Sequence, residues 1–196
     1  IELPLHHGNT MITTTTLTLN PGTADQRLGR TYKNASPKAI AHGAPWYTDV
    51  HDWCAELAKA TGHSTRAVCG AFAALSPRNK LARNKAMAVA MAHGRATSGL
   101  SLPIAKAGRV LAGEDWGDVL HGPKERAFAD NCSAPLTSQA ATMDTWAFRL
   151  LFPAGTPLAD IERWAKRKGS YASAERCYRM AAARVGVPPH MFQAVT

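Results

Sequence analysis

The chain has 196 residues, enough for one domain with a sizeable core or for two small lobes that share one. Hydrophobic residues make up 45% and charged residues 19% of the sequence, an ordinary globular balance, and no apolar run approaches a membrane span. Lys and Arg outnumber Asp and Glu by 23 to 14, and the net charge of +9 favours a polyanionic partner such as nucleic acid, although a basic protein can simply tolerate its charge.

The cysteines and histidines predict no metal or cofactor. The four cysteines contain no Cys-x-x-Cys pair, and each falls in or beside an apolar helical pattern: Cys54, Cys69, Cys132 and Cys177. We therefore expect buried thiols in a reducing cytosol rather than disulfides, zinc or an iron–sulfur cluster. The eight histidines form no recognisable ligand pair.

Residues 1–43 differ from the rest of the chain. The stretch IELPLHHGNTMITTTTLTLNPG lacks helical periodicity, and we predict a partly disordered N-terminal arm. TTTTLTL could form one short strand. The chain starts without methionine, so Met11 could be the natural start and the residues before it an expression leader. Residues 44–196 are predicted to form a single helical domain.

The helical pattern from Pro45 onward predicts an all-α, compact bundle of about eight short helices. They are predicted at Trp46 to Gly62, Ser64 to Pro77, Lys80 to His93, Pro103 to Leu111, from Pro123 in GPKERAFADN, from Asp144 in ATMDTWAFRL, in ADIERWAKRKG and in SYASAERCYRMAAARVG. GVPPHMFQAV is predicted as a helical turn that begins at proline and packs back on the core.

Asp144 stands where the sixth predicted helix begins, just off the apolar face to which Met143, Ala147 and Leu150 belong. An aspartate at this place is most often a helix cap. It can also be an acid placed for chemistry, because an ionised carboxylate near a deoxyribose stabilises the positive charge that develops when a base departs. The residues alone leave both interpretations open.

Lys124 is the second chemical candidate. Gly122-Pro123 predicts a turn, and the helix after it begins with exposed N–H groups that can hold a DNA phosphate, with Lys124 and Arg126 adding positive charge. The amine of Lys124 is also a potential nucleophile. A solvated lysine without a role is the alternative.

Three segments resemble a known family. MDTWAFRL resembles the V-D-T-H-x-x-R signature of the helix-hairpin-helix DNA glycosylases, the superfamily that includes endonuclease III. Asp144, Thr145 and Arg149 match this signature, while Trp146 stands where histidine is usual. The resemblance implies that Asp144 is the catalytic carboxylate and that Arg149 contacts DNA.

The segment AVCGAFAALSPRNKLARNKAMAVAM is similar to the family's apolar helix, Leu-Ser loop and Asn-Lys-Ala helix. In the family this loop reaches into the duplex near the extruded base. The resemblance therefore implies that Ser76, Pro77, Arg78 and Asn79 contact DNA.

LHGPK resembles the family's L-P-G-x-G-x-K hairpin, in which two glycines bind a phosphate and, in bifunctional members, the lysine attacks the sugar. It keeps the leucine, one glycine and the lysine, but it is shorter. The resemblance places Lys124 at the nucleophile position and implies DNA contacts by Gly122, Pro123 and Arg126.

The three matches follow the family's order over roughly Ala67 to Leu151 and imply a small divergent member without an iron–sulfur cluster, with two helical lobes and a cleft between them. The implied function is base excision: a DNA glycosylase, with or without AP-lyase activity, swings a damaged or modified base out of double-stranded DNA and cleaves its glycosidic bond. Trp146 and Gln193 are candidates for the pocket that receives the base. Most other aromatic side chains, such as Trp46, are expected in the core.

Three alternatives remain open. The chain could be a catalytically inactive helix-hairpin-helix DNA-binding protein, a phage or nucleotide-modification enzyme on the same scaffold, or a helical adaptor. We expect a monomer with no membrane association. The same motifs are similar to small proteins of actinobacteria and their phages, which implies a cytoplasmic, prokaryotic or phage-encoded protein.

Overall fold

The computed structural model describes residues 16–196, and this part of the chain is built from helices joined by turns and short loops. The helices are α1 (Pro21–Lys33), α2 (Pro37–Gly43), α3 (Trp46–Thr61), α4 (Thr65–Leu75), α5 (Leu81–Ala92), α6 (Ser101–Leu111), α7 (Trp116–Val119), α8 (Pro123–Ser133), α9 (Thr145–Leu150), α10 (Leu158–Ala165), α11 (Ser170–Val185) and α12 (Pro189–Val195). No strand occurs within residues 16–196, and the all-α prediction is confirmed.

The ends of several helices follow local signals in the sequence. Ser64 caps α4, where its hydroxyl oxygen accepts a hydrogen bond from the N–H of Ala67 at 3.1 Å. Gly62 ends α3 in the left-handed conformation, with φ of 74°, which glycine adopts without strain. The eight helices predicted from Trp46 onward are present as α3–α6 and α8–α11, and the predicted C-terminal turn is α12. The short α7 was not predicted.

The predicted N-terminal arm is wrong for residues 21–43, which form α1 and α2. Ala24 and Leu28 of α1 are fully buried, against α11 among other elements. This helix was missed because few of its residues are apolar, so its helical face becomes evident only when distant elements cover it.

The strand predicted at TTTTLTL lies only partly within the described residues. Residues 16–20 have no regular secondary structure, although this range includes the second half of TTTTLTL. Residues 1–15, with the rest of that segment and the suggested leader, lie outside the described residues.

Two clusters of buried side chains hold the helices together. The first cluster is formed by α3–α8 around α4, which is buried from Val68 through Leu75. The second cluster is formed by α1 and α9–α12, with Tyr178 and Phe192 fully buried. In the described part of the chain, the four cysteines are free and buried, as predicted.

Helix α12 joins the two clusters. Its Phe192 belongs to the second cluster, while Ala194 packs against the first. Gly43 at the end of α2 lies so close to α12 that an added Cβ would stand 2.6 Å from the carbonyl oxygen of Ala194. The close approach of α2 to α12 therefore requires glycine at this position.

Candidate functional site

A pocket of about 280 Å³ lies where elements of both clusters meet. It is lined by Trp46, Tyr47, Ser76, Lys124, Phe128, Thr142, Asp144, Gln193 and Ala194. Ligand pockets commonly measure roughly 300–1,000 Å³, so this one suits a single ring system rather than a large molecule. Four residues singled out from the sequence come together here: Ser76, Lys124, Asp144 and Gln193.

The two charged residues of the lining come from the starts of two helices. Lys124 is exposed and follows Pro123 in the first turn of α8. Asp144 is the N-cap of α9, where Oδ1 accepts a hydrogen bond from the N–H of Ala147 at 2.8 Å. Asp144 is therefore a helix cap, and it also lines the pocket together with Lys124. A second groove of about 410 Å³ likewise contains both residues.

Aromatic rings form one wall of the pocket. The rings of Trp46 and Phe128 stack with their centroids 5.9 Å apart, and the rings of Trp46 and Tyr47 meet in a T-shaped arrangement with their centroids 4.7 Å apart. Trp46 is only partly buried, so its ring is both packed against the first cluster and accessible from the pocket. A flat apolar wall of this kind favours a planar ligand.

The floor of the pocket is a buried polar network. The hydroxyl of Tyr47 donates to Thr142 Oγ1 at 3.0 Å and faces Gln193 Oε1 at 3.3 Å, so its one proton serves two acceptors. Asn131 Nδ2 also donates to Thr142 Oγ1, at 3.1 Å. Gln193, whose Oε1 accepts this hydrogen bond, also belongs to the lining of the pocket.

Burial controls the protonation of Tyr47. Burial raises the pKa of its hydroxyl well above the ordinary value, the hydrogen bond with Thr142 lowers it in part, and the charge of Asp144 raises it further. Tyr47 consequently remains a hydrogen-bond donor at neutral pH and holds the Gln193 amide in one orientation.

The other residues predicted in the loop after α4 do not line this pocket. Arg78 is exposed and adopts a positive φ of 61°, in the left-handed region that is unusual for a side chain other than glycine. Asn79 instead supports the loop, because its Nδ2 donates to the carbonyl of Leu75 at 2.8 Å. Pro77, which precedes Arg78, is half-buried.

The hairpin residues are likewise divided between roles. Gly122 is the N-cap of α8 and Pro123 its first residue. Arg126 is exposed but donates to the carbonyl oxygens of Leu120 and Gly117, so its guanidinium fastens α7 to α8. The short α7 thus needs Arg126 as a structural partner, which the sequence pattern did not indicate.

Trp146 does not line the pocket that contains Lys124 and Asp144. It is 69% exposed and borders a different groove together with Arg149. The structure therefore does not bring Trp146 to the pocket that contains Gln193, the other candidate for receiving the base.

Sequence reasoning missed Phe128 and Thr142 and assigned Trp46 and Tyr47 mainly to the core. Thr142 stands two positions before Asp144 in ATMDTWAFRL, but nothing in the sequence pairs it with Tyr47. In residues 16–196 no group of three or more His, Cys, Asp or Glu side chains could hold a metal ion. Over the same range, every helix is too short or too polar to cross a bilayer.

The fold and the pocket describe a small helical protein with one acid and one lysine beside an aromatic wall. The chain matches the model of a family of unknown function, DUF7178, over residues 10–196, and it belongs to that family. Neither the curated proteins nor the solved structures contain a match to it.

Proposed function

We propose that this protein is a DNA base-excision enzyme that holds an extruded nucleotide in the pocket between Lys124 and Asp144. The observation that supports it is the convergence of these two residues, from the starts of α8 and α9, at one small pocket with an aromatic wall. A nucleobase is planar and aromatic, and its departure from the sugar creates the positive charge that a carboxylate stabilises.

In the proposed reaction the bond between the sugar C1′ and the base nitrogen breaks, and the base departs with the bonding electrons. The carboxylate of Asp144 stabilises the cationic sugar. When the neutral amine of Lys124 attacks C1′, the C1′–O4′ bond breaks, O4′ takes up the proton that the nitrogen loses, and a Schiff base forms. Loss of a C2′ proton then expels the 3′ phosphate by β-elimination and cleaves the strand. When water attacks instead, only the base is lost.

Several other residues have assigned parts in this proposal. The Gln193 NH₂ group meets an acceptor on the edge of the base, while the ring of Trp46 lies against its face. Ser76 borders the mouth of the pocket, and the exposed Arg78 and the start of α8 contact phosphates. In this proposal the pocket takes the place of the cleft that the resemblance predicts between two helical lobes.

Borohydride trapping on DNA with an abasic site, and on a panel of damaged bases, tests the proposal. Wild type is compared with Lys124→Ala and Asp144→Asn. Lys38 gives a matched control, because it follows Pro37 at the start of α2 just as Lys124 follows Pro123. Asp115 caps α7 through the N–H of Gly117 at 2.7 Å, so Asp115→Asn controls for Asp144→Asn.

If the protein is a lyase, we expect wild type to form an adduct that is absent in Lys124→Ala. If it only removes the base, we expect no adduct, and the rate of base release should be about 10²–10³-fold lower in Asp144→Asn than in wild type. Because asparagine also caps helices well, Asp144→Asn should leave the melting temperature nearly unchanged. No adduct and no base release, with DNA binding equal in all variants, would replace this proposal by the binding-only alternative.

A further inference from the structure

Helix α9 presents a second surface, which borders a groove other than the pocket. Among the tryptophans of residues 16–196, Trp146 alone is exposed, at 69%, and the Arg149 guanidinium lies 5.0 Å from its ring centroid. An arginine over an indole face is attracted by the ring's electron density and restrains the ring's orientation. A large apolar ring is thus held in water in a defined orientation.

The groove beside this ring has a cationic lining. It measures about 420 Å³, and its lining includes Arg27 and Arg149 but no aspartate or glutamate. Arg27 is positioned by donating a hydrogen bond to the carbonyl oxygen of Leu151. An aromatic surface with two cations fits a ligand that is aromatic and anionic at once, which is the chemistry of a nucleotide strand.

The exposed Trp146 ring can be compared with the base faces that duplex and single-stranded DNA offer. In an intact duplex each internal base is stacked on both faces, so an exposed indole finds no free base face there. An unpaired base offers one. Asp144 and Trp146 are two residues apart in the chain, so the pocket and this platform both include residues from the start of α9.

We propose that Trp146 and Arg149 form a stacking platform for an unpaired DNA base beside the nucleotide held in the pocket, and that the protein acts on single-stranded or locally opened DNA. The link to the pocket rests on the function proposed above. Binding to the platform does not, because it requires neither Asp144 nor Lys124.

Tryptophan fluorescence with a short oligothymidylate tests the platform. Wild type is titrated with the single strand and with its duplex, beside Trp146→Phe, Trp146→Ala and Arg149→Ala. Leu136→Ala is the control variant, since Leu136 is the most exposed large apolar side chain of residues 16–196, at 86%. We expect the single strand to quench wild-type emission and to bind more tightly than the duplex.

Trp146→Phe should lose the part of the quenching that arises at the platform, whereas quenching of Trp46 in the pocket remains. This variant keeps an aromatic ring and should keep most of the affinity. Trp146→Ala should weaken binding about tenfold and Leu136→Ala should not. Equal affinities of wild type and Trp146→Ala, tighter binding of the duplex, or no binding of the single strand by wild type would each overturn the proposal. Base release measured separately with Asp144→Asn shows whether the chemistry fails, independently of the platform.

Discussion

The two buried clusters differ in how they are built and in what they give to the pocket. The first cluster packs five helices around the alanine-rich α4, whose small side chains allow neighbouring helices to approach closely. The second cluster contains packed aromatic rings. Tyr32 stacks on Phe192 with the ring centroids 4.8 Å apart, and the ring centroids of Phe152 and Trp164 lie 5.1 Å apart. One is assembled from consecutive helices and the other from α1 and the C-terminal third of the chain.

The two clusters also contribute different residues to the pocket. The first cluster and its helices supply the aromatic wall, Ser76 and Lys124, whereas α12 and the residues that lead into α9 supply Gln193, Thr142 and Asp144. The pocket therefore depends on both clusters being folded against each other. Its chemistry is divided between a side that contains the aromatic wall and the lysine and a side that contains the acid and the amide.

The largest expected effect comes from cavities in the two clusters. Phe72 and Phe192 are both fully buried, one in each cluster, and we expect each change to alanine to lower the free energy of unfolding by about 3–5 kcal/mol. Urea denaturation followed by circular dichroism and by tryptophan fluorescence measures it. Because α12 packs on both clusters, both probes should report one transition. Two separate transitions would indicate that the clusters are independent.

A smaller effect is expected where the clusters exchange hydrogen bonds. Thr142→Val keeps the shape of the side chain but removes the acceptor that Tyr47 and Asn131 share. We expect a loss of about 1–3 kcal/mol, because the buried Asn131 amide is left without this partner. Thr48→Val, on the exposed side of α3, is the control and should be nearly neutral in the same urea titration. Equal stability of the two variants would show that the network contributes nothing measurable.

The smallest effect is a dependence of stability on pH through His190. Burial lowers the pKa of His190 below its ordinary value of 6.5, and nearby backbone groups and the charge of Asp130 raise that pKa in part. The imidazole packs against the ring of Tyr47 in a T-shaped arrangement, with the ring centroids 5.1 Å apart. The unfolded chain then binds the proton more readily than the folded one. Stability is thus full above pH 6.5 and falls as the pH decreases below that value.

Melting temperatures at neutral pH and at mildly acidic pH measure this dependence. We expect His190→Gln to reduce the difference between the two temperatures, whereas the exposed His121→Gln leaves it as in wild type. If His190→Gln melts with the same pH dependence as wild type, the folded protein accommodates the charged imidazole without loss.

The sequence by itself determined those features that depend on residues close together in the chain. Apolar spacing and caps such as Ser64 predicted the helices from α3 onward, apart from α7, and the start of α9 at Asp144. These signals act over three or four residues, through the first-turn N–H groups and the periodicity of one helix face. The loop at Ser76 was found in the same way.

Only the tertiary structure decided what depends on distant partners. In the structure α1 packs on α11, and Tyr47 forms hydrogen bonds with Thr142 and Gln193. Arg126 forms a hydrogen bond with α7, and Trp146 borders a groove other than the pocket. A local sequence pattern does not predict these contacts, because each depends on the packing of segments that are not neighbours in the chain. Lys124 and Asp144 could be named as candidates from the sequence, but their place at one pocket follows from how the two clusters meet.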